Sequence, residues 1–358
     1  MTNGATTNGV MTDAQDRQVI TSVRNGTGIL ELNRPKALNS LNLEMVEIIH
    51  QALSSWAEDD SVAQVLIYSN NPKGFCAGGD VRAAREQGLG GNKAGVDEFF
   101  HREYALNDAI DKFPKPFIAL MDGVVMGGGT GISAFGSHRV VTEKTFVSMP
   151  EMLIGFITDV GMTYFFQRMV GSRGKASRAL ALYLATTAYR MKAADLLWTG
   201  YATHQIASDD VDAFREAVIE SGYAAALEKY ANTNPDTAPL AEHIETIEDV
   251  FAHDTWEEVV AALENCDNEE FVASVNETFQ HASPTSLVAA AEIFRANAQV
   301  DSLADALDNE YRVGEYLRGR PDFDEGVRCV LVDKDDEPQF QPDTISEVQE
   351  DEIRELFR

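Results

Sequence analysis

The chain has 358 residues, 44% of them hydrophobic, and a formal net charge of −29. Such a length and apolar content build the core of one large or two ordinary domains and exclude a linker or a fibre, while the charge opposes a general nucleic-acid or anionic-membrane surface. Three widely spaced cysteines, Cys76, Cys266 and Cys329, read as free thiols of a reducing compartment, and no run of uncharged apolar residues is long enough to span a bilayer.

Met1 to Asp16 is rich in Thr, Asn and Gly, lacks an apolar signal core and has no arginine before Arg17. It reads as neither a secretory signal nor a transit peptide, so a disordered start to a cytoplasmic chain is expected. Gln18 to Val23 and Gly28 to Asn33 then predict paired strands around the Asn25-Gly26 turn. Met45 to Trp56 has helical spacing. Ala63 to Ser69 is an apolar strand that runs through Asn70-Asn71-Pro72-Lys73 into Gly74-Phe75-Cys76-Ala77-Gly78-Gly79-Asp80-Val81-Arg82, in the order strand, tight turn, helix start. A helix over Val96 to Phe113 is stopped by Pro114 and Pro116. It carries Glu103, which on the surface of such a helix is ordinarily solvated.

The strand Phe117 to Met121 leads to the triplet Gly127-Gly128-Gly129 and a segment of small residues. Backbone without side chains at a helix start can bring N–H groups up to a ligand oxygen where any Cβ would collide. Two such glycine turns can supply one N–H each to a single carbonyl oxygen. Neither fits G-x-G-x-x-G or carries a Walker lysine, so a nucleotide site is a poor fit. After short strands over Arg139 to Val141 and Thr145 to Ser148 come two carboxylates, Glu151 and Asp159, each set among apolar residues. A carboxylate in such surroundings is expensive unless it is used or satisfied.

No G-x-S-x-G elbow occurs, the seven histidines show no metal-ligand spacing, and no metal is predicted. Cys76 has no histidine near it in sequence and reads as a small buried residue rather than a nucleophile. From about Gly174 the pattern is mostly helical, with helices predicted over Arg173 to Leu184, Lys192 to Leu197, Val211 to Tyr230, Thr255 to Asn265, Asn268 to Ala282, Ser286 to Ala296 and Ser302 to Leu317. Ala231 to Pro239, with two prolines and two asparagines, is the most loop-like stretch. The division expected is a tail over 1–16, an α/β core over 17–210 and a mainly helical region over 211–358.

Several motifs in one order carry a family resemblance. Asn33-Arg34-Pro35-Lys36-Ala37-Leu38-Asn39, Phe75-Cys76-Ala77-Gly78-Gly79-Asp80, Met126-Gly127-Gly128-Gly129 and Pro150-Glu151 resemble those of the enoyl-CoA hydratase/isomerase (crotonase) superfamily. Asp159-Val160-Gly161, Ser283-Pro284-Thr285-Ser286 and the tail Asp322 to Arg328 with Leu331 to Asp335 resemble its 3-hydroxyisobutyryl-CoA hydrolase branch. The resemblance covers roughly residues 17 to 345. It implies an α/β spiral of β-β-α units with a largely helical C-terminal region. The activity it implies is hydrolysis of a short 3-hydroxyacyl-CoA thioester, 3-hydroxyisobutyryl-CoA foremost, in valine catabolism.

Site residues follow from the same resemblance. Gly79 and Gly128 would hold the thioester oxygen on their amides. Glu151 would attack it or activate water, Asp159 would bind the substrate hydroxyl or the water, and Glu103 would touch the substrate. Lys36, Ala37, Leu38, Ala77 and Gly79 would grip CoA, with Arg34, Lys36, Lys73 and Arg82 as the local cations for its phosphates. Salt screens the rest of the acidic field within roughly 10 Å at 0.1 M. CoA is part of the substrate, no other cofactor is implied, and a homo-oligomer is compatible. Hydratases of the family carry a second glutamate just after the glycine triplet, where this chain has Gly131. A hydratase/isomerase and a non-catalytic CoA-binding protein are the alternatives, opposed by Gly131 and by the retained Glu151 and Asp159 respectively.

Overall fold

The computed structural model of the chain describes residues 17–232, 234–335 and 337–358, and the expected disordered start over Met1–Asp16 lies outside them. Among the described residues ten strands form two sheets. Strands β1 (Val19–Arg24), β2 (Thr27–Leu32), β3 (Gln64–Ser69), β5 (Phe117–Met121), β7 (His138–Val141) and β10 (His204–Gln205) lie in that order, antiparallel at β1-β2 and parallel beyond. Strands β4 (Gly74–Cys76), β6 (Val124–Met126), β8 (Phe146–Ser148) and β9 (Met191–Lys192) form the second sheet. From β3 to β8 the chain lays strands alternately in the first sheet and the second, as the spiral expectation requires.

Alternation along the strands sorts the larger sheet's two faces. Leu30, Val65, Ile67, Phe117, Ala119 and Val141 join the main core. Their neighbours Ile29, Leu66, Tyr68, Ile118, Leu120 and Val140 pack against Phe214, Val218, Ile219, Ala226 and Leu227. Those last residues belong to two helices, Val211–Ser221 and Tyr223–Tyr230, where the helical spacing predicts one. Gly222 breaks it with φ 83° and ψ 158°. Gln64 of β3 bridges the break, donating to Val218 O at 2.8 Å and accepting from the Tyr223 amide at 3.1 Å.

The hairpin turn has positive φ at both Asn25 and Gly26 (46° and 75°), as a two-residue turn matched to strand twist demands. The predicted helix at Arg173 starts only at Arg178, capped by Ser177, because Arg173 and Lys175 are drawn to Glu248. That glutamate sits on a helix, Leu240–Phe251, whose apolar positions Leu240, Ile244, Ile247 and Phe251 recur at helical spacing. The helices from Leu240 onward share one continuous cluster with the spiral, from Val19 to Ile353. No helix among the described residues is long and apolar enough to cross a membrane.

Candidate active site

The two glycine turns meet. A Cβ built on Gly128 would stand 3.2 Å from the Gly79 nitrogen and would overlap Glu103 Oε1. Neither the Gly79 nor the Gly128 amide has an acceptor among the described residues, so both donors are free to bind a common oxygen. The segment before helix Leu43–Glu58 sets the first turn. Asn39, fully buried with φ 56°, donates to Ser69 Oγ and Phe75 O and accepts from the Arg34 amide. Ala77 N donates to Leu38 O at 3.0 Å, and Leu41 N to Gly78 O at 2.8 Å. The Lys36–Leu38 stretch and the Ala77–Gly79 turn are thereby one unit.

Around these amides stand three buried carboxylates. Glu103 is 2% exposed, so the solvated reading of its helix position is overturned. It lies on the stripe Val96, Phe100, Glu103, Asn107, Ile110, the buried face of helix Lys93–Asp111. Glu151 opens a 3-10 turn, Glu151–Ile154, straight after Pro150, and its Oε1 is 2.9 Å from where a Gly127 Cβ would be. Asp159 Oδ2 accepts from the Tyr104 hydroxyl at 2.6 Å. Glu103 Oε1 and Glu151 Oε2 are buried with no hydrogen-bond partner among the described residues, the state expected of groups that await a ligand.

Burial pushes the Glu103 and Glu151 carboxyls well above the ordinary carboxylate range, and the Asp159 charge adds to both shifts. Burial also raises Asp159, to about 7, against the Tyr104 hydrogen bond and the Arg318 charge that hold it down. Glu151, once ionised, is therefore a stronger base than an ordinary carboxylate.

The C-terminal helices hold these groups from behind. Val160 has φ 51°, a conformation that β-branched residues rarely adopt. The following turn is clamped by Glu310, whose Oε2 accepts from Gly161 N at 2.7 Å while its Oε1 accepts from the Thr163 amide and hydroxyl. Burial raises the Glu310 carboxyl to about 8, opposed by the Thr163 hydroxyl. Behind Glu151, Ser283 N donates to Met152 O at 2.9 Å, and Ser283 Oγ donates to Asp322 Oδ2 at 2.6 Å. The Ser283 and Asp322 motifs are thus supports of the Glu151 turn.

Tyr104, Glu310, Arg318 and Asn107 are absent from the sequence reading. A signal exists for Glu310, a charge on the apolar stripe Leu303, Leu307, Glu310, Gly314, Leu317, all buried. The Arg318 side chain is 5% exposed, pairs with Asp97 at 3.0 Å and lies over the Phe100 ring at 4.2 Å. Of the expected cations, Arg34 pairs with Asp80 at 2.7 Å and Arg82 with Glu86 at 3.3 Å. Exposed Lys36 and Lys73 have no salt bridge among the described residues. Cys76 is buried and its thiol is pushed up to about 12 by burial, which removes it as a nucleophile.

This arrangement matches a known protein family. The profile of the enoyl-CoA hydratase/isomerase family covers residues 27–357. The chain belongs to the enoyl-CoA hydratase/isomerase family. Within this family, the mitochondrial 3-hydroxyisobutyryl-CoA hydrolase of Xenopus laevis is 38% identical over 342 residues, 92% of this chain and 86% of that protein. The Homo sapiens protein of the same name is 34% identical over 358 residues, 97% and 90% of the two chains. Among solved structures of family members, a carnitinyl-CoA dehydratase from Mycobacterium thermoresistibile superposes with a TM-score of 0.88 at 38% identity, covering 96% of this chain and 97% of that one. An enoyl-CoA hydratase from Rhodobacter sphaeroides 2.4.1 gives 0.84 at 32% identity, covering 95% and 97%. The curated relatives place the chain in the 3-hydroxyisobutyryl-CoA hydrolase branch, and the superposed structures confirm the crotonase-like spiral.

Proposed function

We propose that this chain hydrolyses a short 3-hydroxyacyl-CoA thioester, 3-hydroxyisobutyryl-CoA foremost, to 3-hydroxyisobutyrate and CoA, a step of valine catabolism. The observation that carries the reading is Glu151 with an unpartnered oxygen beside two free glycine amides, while Gly131 offers no second acid/base. The names of the curated relatives support it. The dehydratase and hydratase names of the two superposed structures favour the alternative, addition of water to a double bond, and Gly131 weighs against that here.

In the proposed reaction the Gly79 and Gly128 amides bind the thioester oxygen and the oxyanion that forms on attack, worth roughly 3 kcal/mol per donor. Glu151 attacks the acyl carbon to give a mixed anhydride or takes a proton from water. Asp159 holds the substrate hydroxyl or the water, and Glu103, against both glycine turns, shares that contact. CoA binding along Lys36, Ala37, Leu38 and Ala77 supplies remote energy that orients the acyl group, and the unpaired Lys36 and Lys73 are its best phosphate partners. The reaction consumes only thioester and water, so no cofactor enters. A reducing compartment, the cytoplasm, suits the three free cysteines, whereas the vertebrate relatives are named as mitochondrial.

Thiol release followed with Ellman's reagent across acyl-CoAs with and without a 3-hydroxyl tests this reading. The expected result is fastest release from 3-hydroxyisobutyryl-CoA and absent or trivial loss of the enoyl absorbance of crotonyl-CoA. Hydration of crotonyl-CoA at a comparable rate overturns it.

A further inference from the structure

Asn107 sits one helical turn beyond Glu103 on the same buried face, with no exposed surface. Neither its Oδ1 nor its Nδ2 has a hydrogen-bond partner among the described residues. It lies against the glycine helix that carries the Gly128 amide. A Cβ on Gly131 would stand 2.7 Å from Asn107 Nδ2, 3.2 Å from its Cγ and 2.9 Å from the Val160 Cβ. The missing Gly131 side chain thus makes room for this carboxamide, beside the strained residue that follows Asp159. As a packing residue Asn107 is a poor choice. Its neighbours Leu106 and Ile110 are apolar and buried, and a leucine of similar size would fill the space without two polar atoms left unpaired.

We propose that Asn107 is a positioning residue for the water consumed in hydrolysis, an inference that rests on the hydrolase reading above. A carboxamide offers an NH2 donor end and a carbonyl acceptor end at fixed separation, so it can hold a water and fix which lone pair points at the acyl carbon. If Glu151 acts as base, the water oxygen bonds to the acyl carbon as the carbon–sulfur bond breaks. If Glu151 attacks first, the CoA thiolate has already left with a proton, and the water oxygen bonds to the acyl carbon as the acyl–Glu151 oxygen bond breaks and returns the carboxylate. In both cases one water proton passes to a carboxylate of the cluster and the CoA sulfur leaves as a thiol. The two ends of Asn107 can orient a water where Gly131 has no side chain, without adding a fourth carboxyl group to the cluster.

The test uses the full chain with Asn107→Leu and Asn107→Ser, and 3-hydroxyisobutyryl-CoA as substrate. Asn107→Leu is expected to lower kcat at least tenfold with KM within about twofold, while Tm holds or rises because two unpaired polar atoms are gone. Hydroxylamine, a nucleophile that needs less help than water, should speed thiol release in Asn107→Leu by a larger factor than in the wild type. Asn107→Ser, which leaves a hydroxyl and room for water, should recover part of the rate. Wild-type kcat in Asn107→Leu overturns the proposal, as does a fall in rate together with Tm that neither serine nor hydroxylamine relieves. A raised KM confined to hydroxylated substrates assigns Asn107 to the substrate instead and also overturns it. A wild-type chain that releases no thiol overturns the hydrolase reading, and this inference with it.

Discussion

Buried carboxylates occur in both halves of this molecule, and they live in opposite circumstances. In the C-terminal helices Glu292, with no exposed surface, receives Arg354 at 3.1 Å and Arg295 at 2.5 Å. Asp322 receives Ser283 Oγ and the Gln341 amide, and Glu310 receives the Gly161 and Thr163 groups. In the spiral, Glu103 and Glu151 are also buried, yet each keeps an oxygen with no partner among the described residues. Desolvation penalises both sets. Where hydrogen bonds offset the penalty the group is a strut, and where they do not the group is left for a ligand.

The strongest way to break this comparison is at Glu151. Glu151→Gln keeps the shape of the turn, so thiol release should fall by roughly two orders of magnitude or more while acyl-CoA binding, measured by calorimetry, persists. Near wild-type release from the variant would show that an unpartnered oxygen is no guide to chemistry here.

A C-terminal strut should respond in the opposite currency. Glu310→Ala leaves the Gly161 and Thr163 donors unpaired in the interior and is expected to destabilise by about 2 kcal/mol or more, with Glu310→Gln milder. Denaturant unfolding gives the comparison, and an unchanged midpoint for the alanine variant removes Glu310 as the clamp of the Asp159 turn.

Asp159 sharpens the division, because it has a partner, Tyr104, and yet faces the cluster. If it recognises the 3-hydroxyl, Asp159→Asn narrows the kcat/KM ratio between 3-hydroxyisobutyryl-CoA and isobutyryl-CoA, roughly tenfold, because a site built to bond a hydroxyl discriminates through the group left unpaired. If it activates water, both substrates slow by one factor. Unchanged ratio and rates would take Asp159 out of the site.

The smallest effect expected is on stability against pH. An unfolded Glu103 loses its proton near the ordinary carboxylate value, whereas the folded one, raised by burial and by Asp159, keeps it to higher pH. Between those limits the folded state binds more protons, so this contribution is whole at low pH and is lost as pH rises through the raised value. Glu103→Gln stays neutral throughout, and its unfolding midpoint should gain on the wild type from pH 5 to pH 8. A gap that narrows instead would mean that Glu103 is stabilised as a charge.

Most of the spiral was legible because its signals are local. Asn25-Gly26, the apolar runs of β3 and β5 and the glycine runs each act within a few residues, where backbone sterics leave few options. Glu151 and Asp159 stood out because apolar neighbours in sequence imply burial. Glu103 did not, since a helix presents all sides and only the packed partner decides which one is dry. The break at Gly222 was missed for a related reason, since the Gln64 side chain that satisfies it comes from a strand far away in sequence.

Taken by itself, then, the sequence determined most of the turns and the apolar strand runs, and its family resemblance grouped the two glycine turns with Glu151 and Asp159. Tertiary structure alone decided that the Gly79 and Gly128 amides converge, that Glu103 is buried between them, and that Asn107 fills the space left by Gly131. It also decided that Glu310 and Asp322, distant in sequence from the groups they hold, are struts rather than reacting groups. The physical reason is that propensity and turn chemistry act within a few residues of the chain, while desolvation and hydrogen-bond satisfaction depend on neighbours that only the folded chain brings together.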